Sequence, residues 1–252
     1  MGVAEFYDGN TGSPNATITN GIVAGAEGLS VDATGTLYVA DYSKVTEYPA
    51  GSTSPSVSLS NGLAAPKGVA VDANGTLYVA NYGNANGNGN VAEYPAGATS
   101  PSATISSGID FPQGVAVGVN GTLYVANEGN NTVTEYPAGS TSPSATISSG
   151  IGYPVGVAID THGTLYVANN LRNTVTEYPA GSTSPSATIS SGTTAPYGVA
   201  VDANGTLYVV LSNSQTVAEY PAGSTQASVT IPSSSFGEYP QFIAVVPGPL
   251  TP

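Results

Sequence analysis

The residues able to do chemistry are few in this chain of 252 residues, and their spacing decides what they mean. A single histidine, His162, stands in Thr161-His162-Gly163, where sibling segments read Ala-Asn-Gly or Ala-Thr-Gly, so it reads as a substitution within a turn. One histidine gives little support to Ser-His-Asp catalysis or to a multi-histidine metal site. There is no cysteine, which removes thiolate chemistry, disulfides and Cys-ligated zinc. Asp72-Ala73-Asn74-Gly75 begins like a calcium loop, but the distal glutamate such a loop requires is absent, and the segment reads as a turn cap. Glu5, Glu47, Glu93, Glu135, Glu177 and Glu219 could form a carboxylate ring for cations; one copy per repeat points instead to a role inside each repeat. Triplets at Asn15, Asn74, Asn120, Asn130 and Asn204 match the N-glycosylation pattern, three of them in turns. No catalytic residue, metal or cofactor is expected.

Those glutamates belong to the phrase Val-(Ala/Thr)-Glu-(Tyr/Phe), which recurs at spacings of 42, 46, 42, 42 and 42 residues. A period of this length, built of short apolar runs between Gly, Pro, Asn and Ser, means stacked four-stranded units. In residues 198–231, Gly198-Val199-Ala200-Val201 is a short apolar strand and Asp202-Ala203-Asn204-Gly205 a tight turn. Thr206-Leu207-Tyr208-Val209-Val210 is the second strand, rich in β-branched and aromatic residues. Thr216-Val217-Ala218-Glu219-Tyr220 is the third, and Pro221-Ala222-Gly223 turns the chain toward the fourth, Ala227–Ile231. No window carries a sustained helical period.

Composition narrows the partners. Only 8 % of residues are charged, far below the roughly 25 % of an average globular protein. Sixteen acids against Lys44, Lys67 and Arg172 give a net charge of −13, which repels nucleic acid and anionic membrane. The longest apolar runs are strand-sized, so no membrane insertion is expected. The chain opens Met1-Gly2-Val3-Ala4-Glu5 without an apolar signal segment; the Lys-poor, Ser/Thr/Asn-rich surface points to an extracellular or cell-surface setting and a bacterial origin.

Four antiparallel strands repeated six times without helical crossovers make an all-β fold, a six-bladed β-propeller, in one domain spanning 1–252. The motif Gly-Val-Ala-Val-Asp-x-x-Gly-Thr-Leu-Tyr-Val-Ala-Asn at 68–81, repeated with changes at 28–41, 114–127, 156–169 and 198–211, is similar to the NHL-repeat family. The resemblance covers essentially the whole chain and implies a six-bladed propeller of bacterial secreted type. It implies no particular activity, because fold does not carry function.

The closing blade is the irregular one. The inner strand recurs six times, starting at Leu29, Val69, Val115, Val157, Val199 and Ile243, whereas Gly-Thr-Leu-Tyr-Val appears only five times. The two termini are therefore expected to share a blade that lacks its second strand. Val3, Ala4, Glu5 and Phe6 on one side, and Phe242, Ile243, Ala244, Val245 and Val246 on the other, form a candidate assembly edge able to accept a strand from another molecule.

Alternating strand direction places the turns between strands one and two, and three and four, on one face. Those turns are nearly identical in every copy, while the loops of the opposite face differ throughout. Beside the channel on that variable face stand Lys67, Phe111, Gln113, Tyr153, Tyr197, Tyr239 and Gln241, the candidate ligand-binding residues. Flat rings beside amide donors suit neutral glycans or peptides. The functional expectation is a non-enzymatic structural or interaction module, binding other proteins or itself and able to grow into filaments through the incomplete blade. A carbohydrate- or peptide-binding module is the alternative, and a propeller-type lyase or lactonase is disfavoured by the missing ligands.

Overall fold

A computed structural model of the protein describes residues 3–5, 16–22, 25–83, 89–232 and 241–245. β1 (Val3–Glu5) and β2 (Ala16–Ile18) pair antiparallel as a two-stranded sheet. Five four-stranded blades follow. Blade 1 comprises β3 (Ala26–Val31), β4 (Leu37–Asp41), β5 (Lys44–Tyr48) and β6 (Val57–Leu59), and blade 2 comprises β7 (Pro66–Val71), β8 (Leu77–Asn81), β9 (Asn90–Tyr94) and β10 (Ala103–Ile105). Blade 3 is β11 (Pro112–Val117), β12 (Leu123–Asn127), β13 (Thr132–Tyr136) and β14 (Ala145–Ile147). Blade 4 is β15 (Pro154–Ile159), β16 (Leu165–Asn169), β17 (Thr174–Tyr178) and β18 (Ala187–Ile189), with a 3₁₀ turn at Asn170–Arg172. Blade 5 is β19 (Pro196–Val201), β20 (Leu207–Leu211), β21 (Thr216–Tyr220) and β22 (Val229–Ile231).

Among the described residues the complete blades number five, not six. Residues 241–245 do run along blade 5 at the inner-strand position, with the Gln241 carbonyl against Gly198, but they join no ladder among the described residues. The physical reason is the absent Gly-Thr-Leu-Tyr-Val strand: an inner strand ladders onto a second strand, and here there is none. β1 and Phe242–Val245 are accordingly not in one sheet among the described residues, while Phe6, Tyr239 and Val246 lie outside them.

The core sits between blades. Each main apolar cluster draws on two neighbours; Ala116, Tyr124, Ala126, Val133 and Ile147 of blade 3 pack against Val157, Leu165, Val167 and Tyr178 of blade 4. The second strands of blades 1 to 4 are therefore buried along their whole length, as in Leu123–Asn127, and read as nearly continuous apolar runs rather than alternating ones. Polar bolts reinforce these seams. The hydroxyls of Tyr48, Tyr94, Tyr136, Tyr178 and Tyr220 donate at 2.5–3.0 Å to the carbonyls of Asn20, Asn61, Ser107, Ser149 and Ser191, each just beyond the fourth strand of the preceding unit. The aspartates of the first turn act as caps: Asp72 Oδ1 accepts from the amides of Asn74 and Thr76, both at 2.8 Å. His162 is in the equivalent turn, its amide donating to Asp160 at 2.9 Å.

Candidate binding site at the mouth of the channel

Three backbone devices, repeated blade by blade, build the variable mouth of the channel. The first is a bulge. Between Pro112 and Val115 the inner strand gains one residue over its partner, and the same shift occurs at 66–69, 154–157 and 196–199. Such a bulge re-aims side chains, and Lys67 and Gln113 lie in these bulges. The second is the glycine after the bulge. A Cβ on Gly114 would stand 2.3 Å from the Val155 carbonyl oxygen, and one on Gly68 2.6 Å from that of Gln113. Only glycine lets adjacent inner strands come this close.

The third device is a left-handed residue before proline. Ala65, Phe111, Tyr153 and Ala195 have φ of 50°, 49°, 55° and 46°, a conformation uncommon for any residue with a Cβ. It is held from outside: their carbonyls accept from the amides of Tyr82, Glu128, Asn170 and Ser212 at 3.1–3.2 Å. The buried side chain just before each of three of those donors secures the same loop. Asn127 Oδ1 accepts from the Asp110 amide at 3.1 Å and its Nδ2 donates to Thr134 Oγ1 at 3.0 Å; Asn81 and Asn169 do likewise for Ala64 and Gly152.

These devices bring Lys67, Phe111, Gln113 and Tyr153 together around a cavity of about 500 Å³, with Tyr42, Ala65, Tyr82, Gly83 and Glu128 completing its wall. Glu128 is the hub. Its carboxylate accepts from Tyr82 Oη at 3.2 Å and from Gln113 Nε2. Hydrogen bonding toward Glu128, then burial and the Glu128 charge, push the Tyr153 phenol well above its ordinary pKa. Burial, then the charge and hydrogen bond of Glu128, raise Tyr82 as well. Lys67 Nζ meets Glu27 Oε2 at 2.7 Å and lies 5.9 Å from the centre of the Tyr82 ring, which itself packs on Phe111 at 5.1 Å. Tyr197 stands on the other side of the channel, edge-on to Phe242 at 5.4 Å and pushed up to about 12 by burial and by Glu27, Glu128 and Tyr82.

Four of the seven residues expected at the site therefore converge on one cavity. Tyr197 is adjacent, Gln241 contributes its backbone to the ring, and Tyr239 lies outside the described residues. Sequence reasoning missed Glu128, Tyr82 and Tyr42. The signal was positional: each follows the buried Asp or Asn that ends a second strand, and Glu128 is the one charged residue at that place, where siblings have Tyr42, Tyr82, Asn170 and Ser212.

Residues 110–136, which run from the strained loop through Glu128 to Tyr136, match the family model for the NHL repeat. The chain is a β-propeller with an NHL repeat at residues 110–136. No curated protein sequence matches it. Among solved structures, a chain of the Kuenenia stuttgartiensis hydrazine synthase superposes with a TM-score of 0.66 at 17% identity, covering 94% of each chain. A chain of a nidogen/laminin complex superposes with a TM-score of 0.74 at 15% identity, covering 88% of this chain and 84% of that one. At such identities the likeness is one of fold. The matched residues include a turn of the uniform face, where Asn120 Oδ1 accepts from the Thr122 amide, and the left-handed Phe111 of the varied face.

Proposed function

We propose that this NHL propeller is a non-enzymatic binding module, and that its ligand site is the aromatic-walled cavity around Glu128. One observation carries the reading. Two bulky aromatics, Phe111 and Tyr153, are held in the left-handed region at the cavity rim, where strained backbone is a recurrent mark of ligand sites. The cavity's size and its mix of ring faces with a few convergent polar groups are those of a small-molecule or side-chain site. Its polar groups include the Glu128 carboxylate, held by Tyr82 and Gln113, an arrangement suited to recognition. Composition supports an extracellular setting, and a propeller of this shape within a nidogen/laminin complex supports a role among proteins.

The test is a peptide and glycan array probed with the wild-type protein and with a Phe111→Ala/Tyr153→Ala variant. A set of retained ligands that the variant fails to retain is expected. Arrays blank for both proteins, or retention indifferent to the two substitutions, would overturn the reading.

A second reading concerns assembly. Among the described residues β1 pairs with β2 alone, so one edge of Val3–Glu5 has no strand beside it. An open edge is a template for strand addition between molecules, and a non-closing contact of that kind propagates into filaments. Light scattering and electron microscopy at rising concentration check it; a strictly monomeric protein would dismiss it.

A further inference from the structure

The charges around the cavity do not balance, and the imbalance has a sign. Lys67 and Glu27 are 2.7 Å apart and cancel each other. Glu128 has no such partner: among the described residues the ion pairs are Lys67–Glu27 and the exposed His162–Asp160. Tyr82 and Gln113 give Glu128 hydrogen bonds but no counter-charge.

A second observation is independent of charge. Gln113 is only 7% exposed, and its Oε1 is buried without a hydrogen-bond partner while its Nε2 is spent on Glu128. The opposite amide orientation would set that oxygen against the carboxylate, so the present one is enforced. A buried acceptor left unpaired costs about 1–3 kcal/mol and calls for a donor. The cavity wall thus carries an uncompensated carboxylate and the rings of Tyr82, Phe111 and Tyr153, and Gln113 in the same wall has its carbonyl oxygen buried and unpartnered. Ring faces there already attract a cation, since Lys67 Nζ lies 5.9 Å from the Tyr82 centroid.

We infer that this cavity takes an arginine side chain presented by a partner peptide or protein. The inference rests on the binding-site reading above and names its ligand class. A guanidinium carries fixed positive charge, stacks on aromatic rings, and presents paired donors to the Glu128 carboxylate. Ammonium is a point charge with no planar face to lay on a ring. A neutral sugar stacks on the rings but leaves Glu128 uncompensated. The chain's net charge of −13 favours a basic partner at long range.

The experiment is a calorimetric and NMR titration of the full chain with the pentapeptide Gly-Gly-Arg-Gly-Gly, its citrulline counterpart, and neutral cello- and chito-oligosaccharides. Expected is saturable binding of the arginine peptide at least about tenfold tighter than that of the citrulline peptide. That binding should weaken between roughly 0.05 and 0.5 M salt and be lost in Glu128→Gln. Because Glu128→Gln disturbs a hydrogen-bonded network, the comparison with citrulline on the unaltered protein is the decisive arm. Equal binding of the two peptides, or a neutral oligosaccharide bound equally by wild type and Glu128→Gln, would overturn the arginine inference and leave the site standing. No binding by any probe would overturn both.

Discussion

Gly114→Ala tests how the ring of inner strands is held. The glycine is not in a left-handed conformation, so an alanine there suffers no backbone strain, and its whole effect is the new methyl. That Cβ would lie 2.3 Å from the Val155 carbonyl oxygen, 3.2 Å from the Val157 nitrogen and 3.3 Å from the Gly156 Cα, all backbone atoms of the next blade. Restoring ordinary contact requires roughly 1 Å of separation between blades 3 and 4. Their shared cluster, from Ala116 to Tyr178, must then loosen along its length. Overpacking of this kind costs about 1–3 kcal/mol, and a backbone obstacle puts the cost near the upper end. Stiffening of the unfolded chain returns about 0.4–1 kcal/mol, leaving a net loss of about 2 kcal/mol. Gly139→Ala is the contrast: φ is +71° with nothing within 4 Å, so only left-handed strain acts and the net loss is about 1 kcal/mol or less. Urea unfolding of both variants measures the difference. If Gly114→Ala is no worse than Gly139→Ala, close approach of the inner strands does not hold the ring.

Three further predictions follow from the same contacts. Tyr136→Phe removes the 2.7 Å bond to the Ser107 carbonyl across a blade seam and should lower stability by about 1 kcal/mol, read from the urea midpoint at unchanged slope. Ala195→Gly relieves a φ of 46° and should raise stability by about 0.5–1 kcal/mol; a loss in thermal unfolding would show that the position is not strained. The pH dependence has a definite sign. Burial, then the neighbouring Asp32, Asp72, Asp160 or Asp202, raises the carboxyls of Glu47, Glu93, Glu177 and Glu219 above 4.5. Their stabilising contribution is complete below that value and lost as pH rises through the folded pKa values, so the melting temperature should be higher near pH 5 than at pH 8. Tyr78, Tyr94, Tyr124 and Tyr166, raised to about 12 chiefly by burial, should bring a further loss between pH 10 and 12. A flat profile over both intervals would contradict these environments.

Much of the fold was written locally. Asp72-Ala73-Asn74-Gly75 announces its turn because the side chain that caps it is two and four residues from the amides it binds. Tyr136 was legible as the end of a repeated third-strand phrase, but its tie to Ser107 was not, since the two meet only when one blade lies on another. The sixth blade was over-read: counting inner strands ignored that residues 241–245 have no second strand to ladder with. At the site, Lys67, Phe111, Gln113 and Tyr153 stood out as unlike their siblings. Glu128 is equally unlike its siblings, but its place in the cavity was not legible, because it comes from the amide it gives to the Phe111 carbonyl. The left-handed turn at Phe111 that receives it precedes a proline and contains no glycine to signal it.

Site-specific photo-crosslinking tests most directly whether ligands bind at the variable mouth of the channel. A benzophenone amino acid replaces either Tyr42, 63% exposed on the cavity wall, or Val119, 77% exposed at the opposite end. Each protein is irradiated with the ligand best retained on the array. An adduct at Tyr42 and none at Val119 is the predicted result, and an adduct at Val119, or equal yields at both, would contradict the account.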